Sequence, residues 1–204
     1  MAISPIQDAD AAQPAWQGIE PKDVPLFVLR LMLWYALFLI PWTGLDQAYG
    51  AGFRFAGNAF MSSMGDVSLS YDTGPEHQDM DTLIELREGK TNGSKPTSSR
   101  LLGYLPTMLL VALVLATRSS WKLRIRRILI GGAIVSLIGM VRLAIDIYAT
   151  LAPNPAFRSV SVSDGLKPTL SFVHEIAAFQ PSTGFVAAAV VWVVLTLLTE
   201  PAPE

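Results

Sequence analysis

Residues 118–151 read RSSWKLRIRRILIGGAIVSLIGMVRLAIDIYATL, and this stretch decides the fold. It opens with five basic residues and no acidic one (Arg118, Lys122, Arg124, Arg126 and Arg127). It then passes into an apolar run, 128–151, interrupted only by Arg142 and Asp146. A bilayer core takes about 20 helical residues, so this run is long enough to cross one. Short basic connections stay on the cytoplasmic side, which places 118–127 inside and directs the following helix outwards.

Working outward, residues 101–117 and 176–199 carry no charge, and 24–45 carries only Arg30. The expectation is an all-α membrane protein of four transmembrane helices, 24–45, 101–117, 128–151 and 176–199, with both termini cytoplasmic. Residues 46–100 and 152–175 then form extracytoplasmic loops, and 1–23 a disordered cytoplasmic N-terminus. A cleavable signal peptide is disfavoured by the acidic approach (Asp8, Asp10, Glu20, Asp23) and by the lack of a small-x-small site after the first apolar run. Composition agrees: 51% of residues are hydrophobic and 16% charged, against about 25% charged in soluble domains. Fifteen basic against seventeen acidic residues give a net charge of -2, which argues against a nucleic-acid partner. The absence of cysteine excludes disulfides and thiolate chemistry, and two histidines, His77 and His174, are too few for an all-histidine metal cage. No cofactor or metal is expected.

The longer outer loop carries order of its own. Residues 65–72 alternate apolar and polar positions, and Met80 to Arg87 can pair with them as a β-hairpin across the turn Thr73-Gly74-Pro75-Glu76. Tyr49, Phe53, Phe55, Phe60, Met61 and Met64 among Gly and Ala suit a helix lying in the headgroup region. Residues 89–96, rich in Gly, Lys, Asn and Ser, read as a mobile connector. An isolated hairpin is barely stable in water, so this one must rest on the helices or on a partner.

Ionisable residues within a span are costly and usually functional. Counting from Ile128, Arg142 lies roughly 21 Å and Asp146 roughly 27 Å along the helix, both in the outer third. Four apart, they can pair as a structural ion pair. His174 falls at a similar depth, in a helical turn leading into the last span, and Ser98 and Ser99 precede the second span on the same side. Glu175, adjacent to His174 on a helix, points away from it, so Asp146 is the better orienter. Capping a helix is the commonest use of serines placed like Ser98 and Ser99. His77 reads as turn chemistry. Gly132 with Ser136, and Gly184 with Ala188, permit close helix contact within the chain or in a homo-oligomer. Trp34, Trp42, Trp121 and Tyr104 suit the interfacial aromatic belts.

The order Ser98-Ser99-Arg100, apolar helix, basic turn Ser120 to Arg124, Gly139-Met140-Val141-Arg142-Leu143 and downstream His174 resembles the core of the exosortase and archaeosortase family over about residues 98–190. The resemblance implies a polytopic membrane protein of envelope protein sorting, with Arg142 and His174 as counterparts of the family's arginine and histidine. The family's nucleophilic cysteine is absent, with Ser98 and Ser99 nearest to its place. Gly139 stands where an asparagine is often found, and the family has about twice as many spans.

Two functions follow. The first is a non-catalytic scaffold or accessory subunit in envelope protein sorting or exopolysaccharide export, contacting an envelope partner through residues 46–100; the missing cysteine favours it. The alternative is a membrane-embedded acyl-transfer or protease-like enzyme. There Ser98 or Ser99 attacks, His174 is the base, Asp146 orients it and Arg142 stabilises the oxyanion. A transporter is disfavoured by the lack of broken inverted repeats.

Overall fold

Prolines set several of the helix boundaries. Pro25, Pro106 and Pro168 stand in the first turn of their helices, where a missing N–H costs nothing. Ile40 precedes Pro41 and is extended, at φ -61° and ψ 126°, as the proline ring demands, so the first helix stops there. A computed structural model describes residues 21–40, 43–62, 67–72, 80–88, 91–151, 163, 165–175 and 182–199. Its elements are α1 (Val24–Leu39), α2 (Thr43–Met61), β1 (Val67–Tyr71), β2 (Thr82–Glu88), β3 (Thr91–Thr97), a π-helical turn (Arg100–Tyr104), α3 (Leu105–Ala116), α4 (Trp121–Leu151), α5 (Lys167–Val173) and α6 (Ser182–Thr199). The chain is mostly helical, with a small antiparallel sheet.

The helices α1, α3, α4 and α6 form an up-down bundle. At one end the start of α1 meets the end of α3, and Arg127 at the start of α4 donates to the Thr196 carbonyl in the last turn of α6 (3.4 Å). At the other end Arg100 and Tyr104 donate to the Leu39 and Phe38 carbonyls that close α1 (both 3.2 Å). Leu110, Val135, Ala188, Val191 and Leu195 make the core between α3, α4 and α6. Close approach needs small residues. A Cβ on Gly131 would lie 2.7 Å from Leu110 and 2.9 Å from Leu195, whereas one on Gly132 would meet nothing. Within the chain, close helix contact is thus made at Gly131 and not at Gly132.

Among the described residues one helix, Trp121–Thr150, is long and apolar enough to cross a membrane alone. The pair Val24–Leu39 and Gly44–Met61 passes only together and is bent by 81°, while Arg100–Ala116 and Ser182–Leu198 are shorter apolar helices. By length and composition the described residues thus hold one such helix, or two if the bent pair is a single span. The first apolar run is cut at Leu39, and residues expected at its end begin α2, the helix anticipated from the aromatic pattern. The basic segment is not wholly a loop: from Trp121 it forms the first turns of α4. Tyr104, expected at a membrane interface, is 2% exposed and packs edge-on against Tyr49.

Over the other end of the bundle sits a cap built from α2 and the sheet. The expected hairpin is a three-stranded sheet, β1-β2-β3, with Leu69↔Ile84 and Ile84↔Lys95 in register. The third strand occupies what reads as connector. Its Gly93 and Pro96 are poor strand formers, but β3 is an edge strand, where proline is tolerated. The alternating Val67 and Leu69, with Ile84 and Leu86, point one way and bury against Met140, Leu143, Ala144 and Ile147 of α4, joined by Phe53 and Met61 of α2. The opposite edge of the sheet is closed by a side chain. Asn58 of α2 donates to the Leu69 carbonyl (2.9 Å) and accepts from the Leu69 N–H (2.6 Å), standing in for a missing strand. The turn at 73–76, His77, and residues 1–20 and 176–181 lie outside the described residues.

Candidate functional site

At the junction of cap and bundle, α4 lifts Asp146 to the level where β3 and α5 pass. Lys95 Nζ donates to both carboxylate oxygens (2.8 and 2.7 Å) and to Thr150 Oγ1 (3.1 Å). His174 Nε2 lies 2.9 Å from Asp146 Oδ1. The three side chains are partly sheltered, 34%, 21% and 23% exposed, so the contacts are neither dry nor freely solvated. Charge-assisted hydrogen bonds of this kind are the stronger ones. One carboxylate therefore ties three elements that are distant in sequence. Glu175, next in the chain, is exposed.

Arg142, one turn earlier on α4, is only 4% exposed. Its Nη1 sits beside Gly184 and Pro106, so close that a Cβ on Gly184 would lie 2.7 Å from Nη1 and 2.8 Å from the proline ring. The expected pairing of Arg142 with Asp146 gives way to a carboxylate turned toward Lys95 and His174, with the guanidinium against α3 and α6. Ala188, one turn beyond Gly184, is fully buried in the same contact, which lies within the chain.

The two serines occupy a second cluster, in the strand-to-helix link. Ser99 donates through its N–H to Asp81 Oδ1 (2.7 Å) and through its hydroxyl to Oδ2 (2.5 Å). Arg54 of α2 reaches the Asp81 carbonyl (3.3 Å) and carboxylate (3.5 Å), and lies over the Tyr71 ring at 5.0 Å. Ser98 Oγ accepts the Leu101 N–H (3.3 Å), the capping role its position suggests. Both serines are buried, at 5% and 2% exposure. Thus the structure joins Asp146 to His174 while committing Ser98 and Ser99 to other partners.

Lys95, Asp81 and Arg54 were not singled out by the sequence. Lys95 falls in the glycine-containing stretch whose strand character is hidden, and Asp81 immediately precedes β2, where an acid reads as a turn residue. The alternation of Thr91, Gly93 and Lys95 on one face of a two-residue period is the signal that would place Lys95 inward. Among the described residues no group of three or more metal-ligating side chains is placed to hold an ion. No family model matches the chain, and neither a curated protein nor a solved structure is significantly similar to it.

Proposed function

We propose that the chain is a four-span protein of a bacterial-type plasma membrane, resembling the exosortase core. It acts as a non-catalytic scaffold or accessory subunit in envelope protein sorting or exopolysaccharide export. The membrane reading draws support from the outward faces of the bundle. No residue of α1 is buried, and Leu29, Met32 and Leu33 are more than 60% exposed, as are Leu129 of α4 and Val186 and Leu198 of α6. Large apolar side chains left this exposed on three helices call for lipid or protein cover. Only 39% of the apolar window of α4 is buried, unlike the core helix of a soluble domain. The four antiparallel helices would cross in alternation, and the cap would stand outside by the positive-inside rule.

The scaffold reading is carried by one observation: the candidate nucleophiles are spent on structure. Ser99 binds Asp81 and Ser98 caps the π-helical turn, while Asp146 fastens β3 and α5 to α4. What this arrangement accomplishes is a firmly seated outer cap, with Phe55 (80% exposed) and Tyr71 (59%) as aromatic contacts for a partner. The enzyme reading keeps one observation in its favour, the His174–Asp146 pair, which has the geometry of a base and its orienter. Complementation of a deletion strain's envelope phenotype separates the two. In the scaffold reading Ser98→Ala and Ser99→Ala complement, whereas Phe55→Ala fails with normal membrane abundance. Failure of either serine variant at normal abundance, with Phe55→Ala active, would favour the enzyme.

A further inference from the structure

At the end of the bundle opposite the cap, α1 and α3 leave a shallow, open cleft lined by Asp23, Leu26, Phe27, Arg30, Ala116, Thr117 and Arg118. Arg30 is the single charge in the sixteen residues of α1, roughly 9 Å from the helix start, and it is exposed. A guanidinium at that depth of an apolar helix is costly unless it meets headgroups or water. Arg118 is 62% exposed, and its contact with Asp23 is long, 3.5 Å. Exposed pairs of this geometry contribute little and yield readily to a better anion. Phe27 stacks on Trp192 at 5.7 Å, making a firm apolar floor, and Leu26, 40% exposed, continues it towards the exterior of the bundle. Arg124 adds positive potential nearby, donating to the Thr117 carbonyl (3.0 Å).

We propose that this cleft binds the headgroup of an anionic phospholipid of the cytoplasmic leaflet. Arg30 and Arg118 take the phosphodiester and Leu26 and Phe27 flank the start of the acyl chains. Paired arginines suit phosphate oxygens through several N–H donors, and basic pockets between membrane helices on this side are a recognised headgroup environment. Asp23 competes with the phosphate for Arg118 and so limits affinity. The proposal rests on the membrane reading above.

The test uses the purified full chain in detergent micelles doped with equal phosphatidylglycerol and phosphatidylcholine, with bound lipid counted by native mass spectrometry. The intact chain should retain phosphatidylglycerol preferentially. Arg30→Gln and Arg118→Gln should each lower that preference by roughly fivefold, and Asp23→Asn should raise it. A gain in Asp23→Asn cannot come from misfolding. Unchanged preference in all three variants overturns the proposal, as does displacement of the lipid by millimolar inorganic phosphate, which would mark a free-anion site. Carbonate extraction of membranes runs in parallel. A chain that stays in the membrane without lipid preference sinks this proposal alone, whereas a chain that washes off sinks the membrane reading itself.

Discussion

Asp146 is the residue on which the seating of the cap most depends, because Lys95 and His174 converge on it from separate elements. Lys95→Ala removes the charged partner from a sheltered carboxylate and should destabilise the fold by about 1–3 kcal/mol, read as a lower thermal midpoint in detergent. Replacing Lys95 and Asp146 together should cost less than the sum of the two single changes, since the second removes a group the first has already stranded. The adjacent glycines of α4 give a sharper contrast. Gly131→Ala drives a methyl into Leu110 and Leu195 and should destabilise by about 1–3 kcal/mol. Gly132→Ala meets open space and should be neutral or stabilising by up to about 1 kcal/mol through helix propensity. At this scale the sequence is eloquent about cost and silent about partners. Arg142, Asp146 and His174 stand out because charge and imidazole are rare in apolar runs, but which of two neighbouring glycines faces a helix depends on a rotation of about 100° per residue that an apolar surround on all sides does not reveal.

The elements divide by how strongly a single period marks them. Helices α3 and α6 follow from uncharged runs, the inward face of β1 from alternation, and β2 from an apolar run able to pair with it. β3 was not legible, because Gly93 and Pro96 carry loop chemistry and its place as an edge strand is a property of the sheet rather than of the segment. The same holds for Asn58, whose amide closes the edge of β1 only because α2 lies beside it. Asn58→Ala should leave both Leu69 backbone groups without that partner and weaken the cap by about 1–3 kcal/mol, with faster hydrogen exchange in β1 than in α4. Equal protection of the strand in the variant and the parent would show that the clamp contributes nothing. The break between α1 and α2 was concealed for another reason: the apolar run continues through the proline that ends the helix.

Across the whole molecule the basic cluster that opens α4 and the cap stand at opposite ends of the bundle. The basic residues opening α4 oppose its own helix dipole, yet Arg124 and Arg127 donate to carbonyls at the ends of α3 and α6, whose partial negative charge offsets that cost. The same residues that signal a cytoplasmic end thus also fasten three helices there. The cap occupies the other end, held by Asp146 and the apolar face of the sheet. This separation makes orientation the central claim, and because the chain contains no cysteine, single introduced thiols report it cleanly. Ser68 on β1 and Lys122 at the start of α4 are both exposed. In spheroplasts with intact plasma membranes, Ser68→Cys should react with a membrane-impermeant maleimide at once, and Lys122→Cys only after permeabilisation. Labelling of Lys122→Cys in intact spheroplasts, or protection of Ser68→Cys, would contradict the account.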